Sequence, residues 1–138
     1  MSSPLAAVSH LLDTNICIYA INSRLATVPQ MLSHSRGALS TSVLCEAELR
    51  FGAEKSGAPS KNLRAILRFF GGVEVLPFTS EDAIAYAAIR QKLEKAGTPI
   101  GPIDTLIAAQ ALSRKLTLVT NNTEEFSRVE GLKLENWA

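Results

Sequence analysis

Apolar and polar positions along the chain follow two periods, one typical of strands and one typical of helices. Short apolar runs predict strands, and longer stretches with apolar residues at three- and four-residue spacing predict the helices between them. The predicted strands span residues 9–13, 38–42, 73–77, 116–120 and 132–135. Because strands alternate with helices, we expect an α/β fold with a parallel sheet of about five strands flanked by helices.

Capping signals mark the ends of several predicted helices. The predicted helices span residues 43–54, 60–70, 80–96 and 102–112. Glu81 and Asp82 are acids in a first helical turn, where they interact favourably with the helix dipole. Pro102 suits the first position of the last of these helices, which is apolar on most faces and is therefore expected to be buried and central.

Length and composition favour one globular domain over residues 1–138. The chain is 46% hydrophobic and 20% charged, and none of its apolar stretches reaches the about 18 residues that a membrane span needs. Residues 1–8 lack a basic start and a long apolar centre, so we interpret them as a loose lead-in rather than a signal peptide. We therefore expect a soluble, cytoplasmic protein without a membrane partner, in which Cys17 and Cys45 are buried thiols.

The formal net charge is +1, which argues against a broadly basic surface that binds nucleic acid without specificity. If several of the 13 acids gather in one pocket, however, the rest of the surface is net basic. A nucleic-acid substrate is therefore compatible with the charge.

Four acidic or amide residues lie where a strand or helix end can direct them to one point. They are Asp13, Glu48, Asp104 and Asn122. Asp13 ends one predicted strand and Asn122 follows another, and ligands of parallel α/β sheets bind at the carboxyl ends of strands. Asp104 lies in the first turn of the apolar helix, where a desolvated carboxylate needs a counter-charge. This pattern predicts a divalent metal site.

Local alternatives remain for each of these residues. Asp13 is suited to cap the next helix as well as to bind a metal, and Asn122 also fits a turn that leads into a helix. Glu46 and Glu48 lie two residues apart on different faces of one helix, so at most one of them faces a shared pocket, and periodicity does not choose between them.

The chemistry of such a site follows from its oxygen donors. Two carboxylates about 5 Å apart repel each other by about 3 kcal/mol at an effective dielectric constant of about 20. A divalent cation reverses this repulsion, and oxygen ligands without His or Cys suit Mg²⁺ or Mn²⁺. Such a site supports phosphodiester hydrolysis by a metal-activated water.

With these residues placed, the chain resembles the PIN-domain family and, within it, the VapC ribonuclease toxins of toxin–antitoxin pairs. The matching segments occur in family order across nearly the whole chain; they are Leu12–Asn15, Glu48–Gly52, Ile100–Ala109, Leu118–Asn122 and Glu125–Phe126. The resemblance implies a PIN-like three-layer fold with Asp13, Glu48 and Asp104 as metal-site acids, and it selects Glu48 over Glu46.

The resemblance also implies an activity and partners. It implies a Mg²⁺- or Mn²⁺-dependent endoribonuclease with an RNA substrate, a VapB-type antitoxin whose C-terminal segment blocks the active groove, a homodimer and a toxin–antitoxin hetero-oligomer. Many PIN domains have a fourth acid near Asn122. The amide here favours one tightly held metal, with Asn122 hydrogen-bonded to water in the site and Glu125 or Thr120 as possible support for a second ion.

Two other functions are compatible with parts of the sequence. A phosphorylated-aspartate enzyme or receiver would need a second Asp two residues after Asp13, and position 15 is Asn. A catalytically weak PIN-like module that binds RNA or protein is suggested by Asn122 and by the near-neutral charge. Five arginines are candidates either for a phosphate track or for ordinary solvated helix faces; they are Arg50, Arg64, Arg68, Arg90 and Arg114. No catalytic role is expected for His10 or His34.

Overall fold

The computed structural model describes residues 7–23, 27–34 and 37–138, and it contains a five-stranded parallel sheet. The strands are β1 (His10–Leu12), β2 (Leu39–Ser42), β3 (Glu74–Leu76), β4 (Thr117–Val119) and β5 (Leu134–Glu135), in the order β3-β2-β1-β4-β5. All four strand pairs are parallel. The predicted α/β class and the five predicted strands are confirmed, with β1 at the centre of the sheet.

Helices cover both faces of this sheet. They are α1 (Thr14–Ile21), α2 (Thr27–Leu32), α3 (Val43–Glu54), α4 (Pro59–Phe70), α5 (Ser80–Lys95), α6 (Pro102–Ser113) and α7 (Thr123–Phe126). The helices predicted for 43–54, 60–70, 80–96 and 102–112 are confirmed to within one residue at each end. Of the predicted lead-in, residues 1–6 lie outside the described residues, and Val8 packs against the core.

The alternation of side chains along the central strands creates two hydrophobic cores. Leu11 and Leu118 face one side of the sheet, where they pack with α5 and α6. Leu12 and Val119, their neighbours in sequence, face the other side and pack with α1, α3 and α4. Since successive side chains of a strand point to opposite faces, helices on both sides give three layers.

The two cysteines and the two histidines have structural surroundings. Cys17 and Cys45 are free, buried thiols, as expected, and burial raises the pKa of both. The His34 ring stacks on Trp137 with centroids 4.8 Å apart, and His10 Nε2 lies 2.9 Å from a carboxylate oxygen of Glu135. These side chains tie the start of β1 to the C-terminal segment.

A buried carboxylate fixes the start of α5 to α6. Asp82 is fully buried and accepts hydrogen bonds from the Thr79 amide, at 2.8 Å, and from the Ser113 hydroxyl, and it is paired with Arg114 at 3.3 Å. Burial opposes ionisation of Asp82, but these bonds outweigh it and hold its pKa below the usual range. Asp82 therefore does more than interact with the helix dipole.

We predict that Asp82→Ala lowers the free energy of unfolding by about 2–3 kcal/mol, because the change removes a helix-capping interaction and leaves Arg114 without its carboxylate. Urea unfolding at neutral pH measures the effect. Glu81→Ala, in the exposed neighbouring position, is the matched control and should cost less than about 0.5 kcal/mol. Equal losses for the two variants would contradict the structural role of Asp82.

Candidate active site

The three predicted metal-site acids meet in one pocket at the carboxyl edge of the sheet. The pocket has a volume of about 110 Å³ and is lined by Asp13, Thr14, Asn15, Glu48, Asp104 and Asn122. All four candidate residues of the sequence analysis are therefore brought together. The lining includes neither Lys nor Arg, so no side chain of the pocket wall neutralises the negative charge of the three carboxylates.

Asp13 combines the two roles that the sequence left open. It is 6% exposed and caps α1, with Oδ1 accepting a hydrogen bond of 2.8 Å from the Thr14 amide. Its Oδ2 accepts a bond of 2.9 Å from the hydroxyl of Thr120, which is fully buried at the end of β4. Burial raises the pKa of Asp13, and these two bonds oppose the rise. The carboxylate is thus fixed in orientation while it lines the pocket.

The geometry distinguishes between the two glutamates of α3. Glu46 forms an ion pair with Arg50, with 2.7 Å between the Arg50 Nε and a Glu46 carboxylate oxygen. Glu48 lines the pocket with Asp13, on another face of the helix. This placement agrees with the choice that the family resemblance made.

Among the acids that line the pocket, Asp104 has the most strongly raised pKa. Burial, followed by the negative charges of Asp13, Glu125 and Glu48, raises the pKa of Asp104 from 3.8 to about 6. Asp104 is half-buried in the first turn of α6, whose Pro102 start is as predicted. The carboxylates are therefore close enough to repel one another strongly.

Asn122 faces the acids with its amide nitrogen. Its Nδ2 donates to Oε2 of Glu125 at 2.9 Å and lies 3.5 Å from Oδ2 of Asp104. The Asn122 backbone N–H donates to the Thr120 hydroxyl at 3.0 Å, which connects Asn122 to Asp13 through Thr120. Glu125 therefore brings a further carboxylate to the cluster, on the same side of α7 as Asn122 because the two are three residues apart.

Two side chains of the pocket were not singled out as site residues from the sequence. Thr14 and Asn15 line it because α1 begins directly after Asp13, so its first two residues lie at the strand ends. Their position directly after a strand-terminal acid is the signal in the sequence that would have identified them.

These residues fit a hydrated divalent ion. Within the described ranges, no three His, Cys, Asp or Glu side chains stand close enough together to hold an ion directly. Mg²⁺ typically binds through one or two carboxylates and keeps several waters, and about 110 Å³ leaves room for them. The carboxylates that surround Asp104, in a pocket whose lining has neither Lys nor Arg, also indicate a site that a cation would complete.

A larger groove, which we call the α1–α3–α4 groove, opens beside the acidic pocket. It has a volume of about 740 Å³, shares Thr14, Asn15 and Glu48 with the pocket and is otherwise lined by residues of α1, α3, α4 and their ends, among them Ile18, Phe51, Lys55, Lys61, Asn62 and Arg68. The charged residues of its lining are the three cations Lys55, Lys61 and Arg68 and one acid, Glu48. The groove is thus basic where the pocket is acidic.

Of the five arginines considered for a phosphate track, Arg68 lines this groove. Arg50, Arg90 and Arg114 are instead held by carboxylates on or next to their own helices, which are Glu46, Glu94 and Asp82 respectively. The five arginines therefore do not form one phosphate track, because three of them are engaged in local ion pairs.

Comparison with known proteins identifies the family. The PIN-domain model matches residues 10–132. The chain belongs to the PIN-domain family. It is 42% identical over 128 residues to the tRNA(fMet)-specific endonuclease VapC of Shigella flexneri, covering 93% of this chain and 97% of that protein. It is 38% identical over 130 residues to ribonuclease VapC2 of Haemophilus influenzae, covering 94% and 98%.

Solved VapC structures have the same fold. The DNA-bound VapBC of Salmonella typhimurium matches with a TM-score of 0.90 and 39% identity, covering 95% of this chain and 99% of that chain. VapBC2 of Rickettsia felis, bound to a promoter DNA fragment, matches with a TM-score of 0.88 and 34% identity, covering 95% and 100%. The chain is therefore a PIN-domain nuclease of the VapC type. Among its described helices, none is long and apolar enough to cross a membrane.

We predict that the raised pKa of Asp104 can be measured in metal-free protein. An NMR titration in EDTA should give a midpoint near 6 for Asp104. Asp13→Asn should lower this midpoint, because it removes a nearby negative charge, and Glu46→Gln, outside the pocket, should leave it unchanged. A midpoint near 4 in the wild type would contradict the predicted crowding of carboxylates.

The same shift predicts how the stability of the metal-free protein depends on pH. Because folded Asp104 binds its proton more tightly than unfolded Asp104, its contribution to stability falls as the pH rises from about 4 to about 6 and is constant above that range. Asp104→Asn should remove this part of the pH dependence of the melting temperature. Persistence of the full dependence in the variant would assign it to other groups.

Proposed function

We propose that the protein is a metal-dependent endoribonuclease that cleaves RNA phosphodiester bonds. The observation that carries the proposal is the meeting of Asp13, Glu48 and Asp104, from three separate segments of the chain, in one pocket at the carboxyl edge of the sheet. Membership of the VapC ribonucleases supports the choice of RNA as substrate. A cytoplasmic site of action is part of this proposal, because RNA substrates are found there.

The site would hold Mg²⁺ or Mn²⁺, in keeping with the general dependence of PIN-domain VapC nucleases on divalent metals. Asp13 and Asp104 would be direct ligands, and Glu48 a ligand or a carboxylate that orients water. When bound, the metal would activate water as the nucleophile and stabilise charge on the phosphoryl oxygens.

The surrounding residues prepare the acids for this role. The Thr14 amide and the Thr120 hydroxyl fix both oxygens of Asp13, so that little reorganisation is needed when a cation binds. The side-chain N–H of Asn122 donates to Glu125 and lies 3.5 Å from Asp104, so its partial positive charge faces both carboxylates. A fourth carboxylate is thus available from Glu125, although position 122 itself carries an amide.

For the substrate, we propose a structured RNA of the transfer RNA class. Two relatives, from Shigella flexneri and Salmonella typhimurium, carry names that specify tRNA(fMet), and they are 42% and 39% identical to this chain. Initiator tRNA is therefore the first substrate to test. The cations of the α1–α3–α4 groove provide contacts for phosphates next to the cleavage pocket.

For the partner, we propose a VapB-type antitoxin that neutralises the nuclease. Related toxins have been solved as VapBC complexes, at 39% and 34% identity to this chain. The α1–α3–α4 groove offers apolar surface at Ile18 and Phe51 and adjoins the acids, so a C-terminal antitoxin segment seated there would block access to Asp13 and Glu48. A toxin homodimer within a hetero-oligomer completes this proposal.

We predict that Mn²⁺ raises the melting temperature of the wild-type protein, because the ion binds the folded acid cluster and not the unfolded chain. Asp13→Asn and Asp104→Asn should abolish the rise. Glu46→Gln, which removes an acid of the same helix as Glu48 but outside the pocket, should preserve it. The absence of a shift in the wild type would favour the alternative, a catalytically weak module that binds RNA or protein.

We predict that purified wild-type protein cleaves initiator tRNA in the presence of Mg²⁺ and that EDTA stops the reaction. Asp13→Ala should lose at least about 100-fold in rate, since removal of a group that acts in the transition state commonly costs that much. Gel analysis of end-labelled RNA measures the rate. Equal cleavage by wild type and variant would identify a contaminating nuclease and reject the assignment.

A further inference from the structure

One aromatic side chain of the α1–α3–α4 groove is far more exposed than its size and chemistry favour. Phe51 is 64% exposed, on the same helix as Glu48 and on the wall of the groove next to the acidic pocket. Its location beside the acidic pocket, rather than its exposure alone, places the ring where it can contact a ligand of that pocket.

The position of Phe51 on α3 relates it directly to the acids. Glu48, Phe51 and Lys55 are spaced three and four residues apart, so they form one stripe along the helix, with rises of about 4.5 Å and about 6 Å between them. All three line the groove. The stripe therefore leads from a pocket acid to an aromatic ring and then to a cation.

The charges along this stripe suit a nucleic acid strand. The Lys55 ammonium lies 5.1 Å from the centroid of the Phe51 ring, which remains largely open to solvent. Lys61 and Arg68 of α4 line the same groove, and Asn62 adds an amide with both donor and acceptor atoms. Cations bind phosphates, amides read base edges, and open aromatic rings stack on unpaired bases.

We infer that Phe51 is a stacking platform for an unpaired base of the RNA, next to the bond that is cleaved, and that Lys55 binds the adjoining phosphate. The inference rests on the proposed ribonuclease function and specifies how the same site recognises its substrate. It favours unpaired loops over continuous duplex, because bases within a duplex are already stacked on each other.

A kinetic experiment tests the role of the ring during cleavage. An RNA hairpin with an unpaired loop is cleaved in Mg²⁺ by the wild type, Phe51→Ala, Phe51→Tyr and the control Ile84→Ala, which truncates an exposed apolar residue of α5 outside the groove. Phe51→Ala should lower kcat/KM by about 5- to 100-fold, the loss expected for one base stack, mainly through KM. Phe51→Tyr and Ile84→Ala should retain activity near that of the wild type.

A binding experiment tests the same contact without cleavage. The loop of the hairpin carries 2-aminopurine, whose fluorescence falls on stacking, and it is titrated with Asp13→Asn protein with and without Phe51→Ala. The quench should depend on the ring at position 51. Circular dichroism and melting of each variant verify folding, which an exposed position should not disturb.

The possible results distinguish base stacking on Phe51 from the proposed ribonuclease activity on which it depends. Wild-type cleavage with unchanged kcat/KM and unchanged fluorescence in Phe51→Ala would overturn the stacking role while leaving the nuclease intact. Lost affinity for the antitoxin is expected from the proposed antitoxin seat in this groove; combined with unchanged kcat/KM and unchanged fluorescence, it would overturn the stacking role and assign the ring to protein docking alone. If the wild type cleaves no RNA, the proposed function fails, and the fluorescence titration still decides whether a base stacks on Phe51.

Discussion

The parallel pairing of β1 with β4 is the constraint on which the site depends. Leu12 is in register with Val119, so the next residues, Asp13 and Thr120, emerge side by side at the carboxyl edge of the sheet. The Thr120 hydroxyl donates to Asp13 and accepts from the backbone N–H of Asn122, so the same register also positions Asn122 at the pocket. A slip of one residue would exchange the two core faces and move Asp13 away from its partners.

Charge is distributed unequally between two adjoining cavities. The acidic pocket holds carboxylates that raise the pKa of Asp104, with no Lys or Arg in its wall, whereas the α1–α3–α4 groove beside it carries Lys55, Lys61 and Arg68. A phosphate chain is attracted by the groove and repelled by the pocket until a cation neutralises the acids. The near-neutral net charge of the chain conceals this separation, because opposite local charges cancel in the sum.

The structural ion pairs and rings lie apart from this chemistry. Asp82 and Arg114 fix α5 to α6, and the His10, His34 and Trp137 rings pack together near the start of β1. Neither group lines the acidic pocket. The charged and aromatic residues of this chain therefore fall into two groups, those that stabilise the fold and those that line the acidic pocket. The burial and the hydrogen-bond partners of each side chain show to which group it belongs.

The sequence by itself determined the α/β class, the five strands, four of the described helices and three residues of the acidic pocket, which are Asp13, Asp104 and Asn122. These follow from local physics: side-chain period, capping chemistry and the placement of polar residues at strand ends. The family resemblance added the preference for Glu48 over Glu46, which periodicity alone left open.

Only the tertiary structure decided what depends on contacts between distant segments. It showed that Asp13 is both a cap and a pocket residue, that Glu125 joins the acids, that Arg114 serves Asp82, and that Phe51 stays exposed beside the pocket. The physical reason is that the protonation and exposure of a side chain depend on neighbours that are distant in sequence. These neighbours come into contact only when the strands pair in their register and the helices pack on the sheet.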